Sequence, residues 1–437
     1  MTIKGLAPGS NAASLDDIVR RRPSLFEGDF APPVMTINRA AIDHNVATMA
    51  RFCRDRGVDV APHGKTSMAP QLWRRQLAAG AWGITVATPQ QIAVCRQAKV
   101  PRVLLANELV DGATIEWLAG ELAADPGFAF LCYVDSVAGV ELLASAIDRA
   151  TGRRTAQPAA GSATGPTTAG GAARPFDLLV EVGFADGRTG CRTVDQVVEV
   201  ARAAAAHPTL RVVGTAGFEG GIGADLTPAV FVAVDDFLGR IHAAAAELVA
   251  RDLVADPGGG VILSAGGSIF FDRAAEILTK PLPGGRHPHC VLRSGCYVTH
   301  DSGFYARMSP FSRPGADPAY TLRPALEAWG EILSHPEPGL ALVGLGRRDV
   351  PFDLGMPRPA LLRPTGSTRL FRDVSGCSVR ALNDQHAFVD LADGVRVAPG
   401  DWMSFGISHP CTAFDKWRLV PEIDDEHRVL GFVETHF

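Results

Sequence analysis

The 437-residue sequence has no run of 18 apolar residues, so no membrane-spanning helix is expected. Its first residues, MTIKGLAPGSNAASLDD, carry no apolar core and do not read as a secretory signal. No Lys/Arg-rich run stands out, and 42 Lys+Arg against 47 Asp+Glu leave a formal net charge of -5, which argues against a nucleic-acid partner. The eight cysteines form no CxxC and no dense framework, a pattern that suits reduced thiols and a cytoplasmic protein. No internal repeat of fixed period occurs. What is present is apolar substance. Hydrophobic residues make up 46% and charged residues 20%, enough to bury a sizeable core, and the length suits two or three domains.

Residues 1–33 are a polar lead-in, expected to pack on a second domain. From residue 34 the pattern becomes regular. VMTIN (34–38) reads as a strand, and residues 39–57 read as a helix with Ile42, Val46, Met49 and Phe52 on one stripe. Eight further strands are predicted at 58–63, 83–88, 102–107, 128–134, 176–182, 210–218, 261–266 and 290–298. Most are short Val/Leu/Ile runs, as strands buried on both faces require. With helical stretches between them they span about 240 residues, the size of a (β/α)8 barrel. An open doubly wound sheet with a long insertion is the structural alternative. The expected fold class is therefore α/β, a TIM-like barrel over 34–301 joined to a mainly β domain over 302–437. Within that domain SVRAL, HAFVDL, VRVA, DWMSFGI and VLGFVETHF alternate. Segment 151–175, rich in Gly, Ala, Thr and Pro, reads as a flexible insertion.

Three sets of residues could carry chemistry. In APHGKTSMAP (61–70), Lys65 falls just past the first barrel strand, on the face where barrels place active sites. A partly desolvated lysine there can form a Schiff base, and His63 shares its face if the strand continues that far. On this segment alone a solvated strand-end lysine is the commoner occurrence. In SAGGS (264–268) and RSGCY (293–297), the glycines Gly266, Gly267 and Gly295 let backbone N–H groups approach a phosphate, and Ser268 and Tyr297 add hydroxyls. A strand-end lysine and a phosphate site in one barrel mouth point to pyridoxal phosphate (PLP). In GISHPCTAFDKWR (406–418), His409 and Cys411 share a face of an extended backbone, and an imidazole with a thiolate could hold zinc in an open site. A buried cysteine beside an ordinary histidine fits as well. Weaker candidates are Arg188, which could contact a cofactor or pair with Asp186, and Phe218 and Glu219 at the end of the sixth strand.

PHGKT, GRTG, SAGGS, RSGCYVTHD and SHPC, in this order, resemble the D-serine dehydratase / D-threonine aldolase family, and most closely its bacterial amino acid deaminase branch. The resemblance covers about residues 30–437 apart from the insertion. It implies a fold-type III PLP enzyme with an alanine-racemase-like barrel and a β domain. It implies that Lys65 carries PLP with His63 beside it, and that Arg188, Phe218, Glu219, Gly266, Gly267, Ser268, Gly295, Cys296 and Tyr297 contact the cofactor. His409 and Cys411 would bind a divalent metal, zinc by ligand softness, in the His-x-Cys version of the dehydratases. Relatives often carry tyrosine at Phe218. The implied reaction is β-elimination of a β-hydroxy D-amino acid to a 2-oxo acid and ammonia. The alternatives are retro-aldol cleavage, racemisation, or PLP binding without catalysis. A homodimer acting on a small molecule is implied.

Overall fold

The computed structural model describes residues 3–10, 14–152, 174–256, 259–367 and 371–437. Nearly all of the expected insertion at 151–175 lies outside these residues. Among the described residues no helix is long and apolar enough to cross a membrane. The chain forms two compact units, one of Cys53–His63 and Ala81–Ser294, the other of Met1–Phe52, Gly64–Gly80 and Gly295–Phe437. The units thus do not follow a single cut near residue 301.

The first unit is the barrel. Its strands are Asp59–Val60, Ile84–Val86, Arg102–Glu108, Ala129–Val134, Phe176–Val182, Leu210–Gly217, Val261–Ala265 and Pro288–Leu292. All pair in parallel, each with its neighbour in sequence from the second to the eighth, and the eighth pairs with the first. The remaining seam is joined by N–H groups of Trp82 and Thr85 donating to the carbonyls of Val60 and Pro62, with a parallel bridge between His63 and Thr85. Ala61, Leu104, Leu131, Tyr133, Leu179, Ala216, Ile262 and Val291 fill the interior, as the alternation of strand side chains requires. The connecting helices begin where the sequence supplies caps. Ser136 accepts from Gly139 N, and Thr193 forms a capping box with Gln196. Val140, Leu143, Ala144 and Ile147 then bury one stripe. Gly214 admits no side chain, because a Cβ there would lie 1.8 Å from the Ile262 carbonyl oxygen.

The eighth strand is shorter than the sequence predicts. It stops at Leu292, and Cys296–Val298 is a single 3-10 turn. The polar and glycine residues Arg293, Ser294 and Gly295 end the ladder. The first strand stops at Val60, so Lys65 sits on the 3-10 turn Gly64–Thr66 instead of a strand.

The second unit is built on a ten-stranded sheet. Its centre includes Val34–Asn38, which pairs antiparallel with Leu326–Glu337 and parallel with Leu419–Ile423. That strand was expected in the barrel. Four of the five alternating runs are strands, at Ser378–Leu382, Ala387–Asp390, Trp402–Gly406 and Val429–Glu434. VRVA (395–398) is not one, since Ala398 N donates to Asp401 and turns the chain. The lead-in does pack on this sheet. Ile18, Leu25, Phe26 and Phe30 bury against Val34, Trp329, Trp402, Ile423 and Val429. Phe26 meets Trp329 edge-on at 5.1 Å and Trp402 at 5.4 Å. Truncating Phe26 to alanine should therefore cost about 3–5 kcal/mol of stability in a urea titration. A loss below about 1 kcal/mol would show that the lead-in contributes no core.

Candidate active site

Lys65 lies on a turn fixed from several directions. The Gly64 carbonyl accepts from Met68 N at 2.9 Å and from the buried indole of Trp73 at 3.3 Å. The Met68 carbonyl in turn accepts from His436 N at 2.9 Å. The side chain of Lys65 is half-buried, and among the described residues it makes no hydrogen bond or ion pair. The chain has only five lysines. Lys4 and Lys416 are engaged by Asp349 and Asp415, and Lys99 and Lys280 are exposed. Lys65 is thus the one lysine both sheltered and uncommitted, which suits an amine that must attack a carbonyl. That scarcity was a signal available in the composition.

The next residue connects this turn to the metal candidates within the same unit. Thr66 Oγ1 lies 3.4 Å from Cys411 Sγ, across 345 positions of sequence. Cys296 Sγ lies 3.5 Å from the same sulfur. His409 and Cys411 are not on an extended strand. His409 has φ 62°, and Pro410–Thr412 is a 3-10 turn. The turn brings imidazole and sulfur together by another route, and two aspartates hold it. Asp301 accepts from His409 N at 3.0 Å, and Asp353 lies 2.5 Å from His409 Nδ1. Thr412 donates to the other oxygen of Asp353 at 3.1 Å.

This arrangement sets charge. Hydrogen bonding from Cys296, joined by His409 and Thr66, holds the Cys411 thiol well below its ordinary range against the opposing effect of burial. Burial works against a charged His409, yet Cys411 and Asp353 outweigh it and raise the imidazole to about 9. A carboxylate facing Nδ1 orients the ring, and the imidazole also hydrogen-bonds Cys411. Histidines that ligate metals are usually oriented this way. The donor set of a soft thiolate and a carboxylate-oriented imidazole therefore fits a divalent metal such as zinc. Among the described residues no group of three or more His, Cys, Asp or Glu side chains is placed to hold one. The pair would leave further coordination positions open.

The remaining candidates behave differently. The Tyr297 hydroxyl accepts from Gln76 at 2.9 Å, and both residues are buried. In the barrel unit, His63 takes part in the closing bridge with Thr85. The N–H groups of Gly266 and Gly267 donate to the carboxylate of fully buried Glu219 at 3.2 and 2.5 Å. In this structure both groups are thus occupied by an anion of the chain itself. Arg188 does not pair with Asp186; its guanidinium stacks on Phe218 at 4.4 Å. The GRTG loop is held by Arg192, whose guanidinium donates to the carbonyls of Gly187, Arg188, Thr189 and Gly190. Sequence reasoning missed Thr66, Asp301, Asp353 and Arg192. Thr66, Asp301 and Asp353 act on partners far away in the chain, whereas Arg192 acts on carbonyls two to five residues before it.

Comparison with known proteins places these features. The family model of the alanine racemase N-terminal domain matches residues 37–225, and that of a putative serine dehydratase domain matches 325–423. The 3-hydroxy-D-aspartate aldolase of Paracoccus denitrificans (strain Pd 1222) is 24% identical over 341 residues, 77% of either chain. The crystal structure of D-threonine aldolase from Filomicrobium marinum superposes with a TM-score of 0.72 at 22% identity, covering 93% of this chain and 95% of that one. D-threo-3-hydroxyaspartate dehydratase from Delftia sp. HT23 gives 0.69 at 20% identity, covering 93% and 97%.

A thiol lowered in this way and only half-buried should alkylate first. The other seven cysteines are buried. With iodoacetamide at about pH 6, well under the ordinary thiol value near 8.5, peptide mapping should find Cys411 labelled ahead of the rest. Uniform labelling would contradict the electrostatic assignment.

Proposed function

We propose, because this chain belongs to the fold-type III PLP family of D-serine dehydratases and D-threonine aldolases, that it is a lyase of β-hydroxy D-amino acids which eliminates the β-hydroxyl to yield a 2-oxo acid and ammonia. The observation that carries the proposal is the uncommitted Lys65 amine on a turn joined through Thr66 to the His409/Cys411 pair.

Lys65 is the residue that would hold PLP, and when bound that group supplies an electron sink for negative charge developing at Cα. His409 and Cys411 would hold the metal, which supplies Lewis acidity toward a hydroxyl that is otherwise a poor leaving group. The chain's own part is positional and acid–base. With that group bound, the Lys65 amine would be placed to take the Cα proton as a base. Asp353 orients the His409 ring, and Asp301 holds the backbone of His409 in its left-handed conformation. Thr66 and Cys296 donate toward the Cys411 sulfur and stabilise its charge. Contacts of Arg188, Phe218, Glu219, Gly266, Gly267, Ser268, Gly295, Cys296 and Tyr297 with the cofactor rest on the family resemblance, as do the catalytic role of His63 and assembly as a homodimer.

Retro-aldol cleavage is the competing outcome, because several of the similar proteins are aldolases. Product analysis separates the two. D-Threonine should give 2-oxobutanoate and ammonia, and glycine with acetaldehyde and no 2-oxobutanoate would overturn the elimination reading.

Two substitutions separate the roles. Lys65→Ala should abolish the visible absorbance of bound PLP and lower turnover by at least about a thousandfold, on the order expected for a lost covalent group. Cys411→Ala should keep that absorbance while losing bound zinc and turnover. Full metal content and full activity in Cys411→Ala would remove the metal from the mechanism.

A further inference from the structure

Cys296 and Cys411 lie 115 positions apart in the chain, yet their sulfurs are 3.5 Å from each other. Each is carried by a short 3-10 turn, Cys296–Val298 and Pro410–Thr412. Hydrogen bonds tie together the stretches that adjoin these turns. Ser302 N donates to the Ile407 carbonyl at 2.9 Å, Phe304 N to Ser408 Oγ at 3.2 Å, and His409 N to Asp301 Oδ2 at 3.0 Å. The other oxygen of Asp301 accepts from Gly303 N and Ala306 N, both at 3.0 Å. His300 N donates to the Cys296 carbonyl at 2.7 Å. Packed backbone, and not side-chain rotamers alone, therefore sets the separation of the two sulfurs.

Exposure divides the pair. Cys411 is half-buried, whereas Cys296 is 4% exposed. A small reagent in solution meets Cys411 first, and Cys296 stands directly behind it. A disulfide requires sulfurs about 2 Å apart, so this pair must close by about 1.5 Å, a distance that rotation about a Cα–Cβ bond covers. Other buried thiols are engaged differently. Cys191 donates to the Asp135 carbonyl at 3.2 Å and Cys290 to the Ala274 carbonyl at 3.9 Å. A thiol against a carbonyl oxygen has no oxidised product to form there, whereas a thiol against a second sulfur does.

We infer that Cys411 is a site of oxidation by hydroperoxides and that Cys296 is its resolving thiol, the two closing into a reversible intrachain disulfide. The Cys411 sulfur attacks one peroxide oxygen. An S–O bond forms, the O–O bond breaks, and the departing oxygen leaves as water with the Cys411 proton. The sulfur is oxidised by two electrons to a sulfenic acid, and the peroxide is reduced by two. The Cys296 sulfur then attacks the Cys411 sulfur. The S–S bond forms, the S–O bond breaks, and hydroxide leaves as water with the Cys296 proton. One peroxide and two thiols thus give one disulfide and two waters, and a dithiol reductant reverses the change. A sulfenic acid with no neighbouring thiol goes on to the irreversible sulfinic acid. Cys296 is what makes oxidation of the more accessible sulfur recoverable.

The consequence for a bound metal rests on the proposed function, and the cross-link does not. A sulfur in a disulfide has no thiolate to offer, so oxidation would leave His409 without its partner ligand.

The test uses the full chain, reduced, freed of metal with a chelator and treated with hydrogen peroxide. Free thiols counted in the denatured protein should fall by two from eight. Non-reducing peptide mapping should find the Cys296 and Cys411 peptides joined, and dithiothreitol should restore the full count. In Cys296→Ser no joined peptide should form, and dimedone, which captures sulfenic acids, should label Cys411. Should Cys296→Ser fail to fold, competition in the wild type decides. With dimedone present the joined peptides should still predominate, and a dimedone adduct on Cys411 as the main product overturns the resolving role. Eight surviving thiols, a cross-link elsewhere, or sulfinic acid at Cys411 without the joined peptides overturns the inference. Zinc added before the peroxide should slow cross-linking several-fold, because the metal occupies the thiolate. Cross-linking at one rate with and without zinc would leave the disulfide standing and take Cys411 out of the metal site. Zinc retained by the pair with no cross-link after its removal would do the reverse.

Discussion

A contact of 3.4 Å between the Thr66 hydroxyl and the Cys411 sulfur joins two turns that lie 345 residues apart in the chain. The candidate chemistry depends on it. Without that contact Lys65 would be an isolated amine and His409/Cys411 an isolated pair, each with a commonplace structural explanation. With it, a nucleophilic amine and a thiolate–imidazole pair occupy one compact unit. Low local solvation makes the contact consequential. A sulfur that accepts from Thr66, Cys296 and His409 carries its negative charge at little cost, and a ring hydrogen-bonded to Asp353 is fixed in orientation. Such preorganisation lets a site act without rearranging when ligand arrives.

Carboxylates govern much of the remaining order. Asp301 and Asp353 hold His409, and Glu219 closes the Gly266–Gly267 turn. All three accept hydrogen bonds from N–H groups, which for buried Asp301 and Glu219 offsets the cost of burial. A chain with 47 acidic residues gives no hint of which carboxylates are buried, because composition is silent about depth.

The barrel was legible because each of its strands carries a local signature. Runs such as VLLAN and LLVEV are apolar on both faces, and only a sheet covered on both sides accepts them. The Val34–Asn38 strand has the same appearance, yet it pairs with Leu326–Glu337 nearly three hundred residues later, and nothing local distinguishes the two destinations. The ends of strands were misjudged for a related reason. CVLRSGCYV keeps an apolar rhythm through Tyr297, but the ladder needs a partner strand and ends at Leu292.

By itself the sequence determined the barrel, the β domain and the residue types at the reactive positions, since these follow from periodicity and from chemistry that particular side chains alone possess. The tertiary structure decided which of those residues meet. It placed His409 and Cys411 together through a left-handed turn instead of strand alternation, put Glu219 on the glycine N–H groups, and selected Asp353 from a polar loop. The last two pairings join positions 48 and 56 residues apart, and their geometry exists only once packing has fixed both ends.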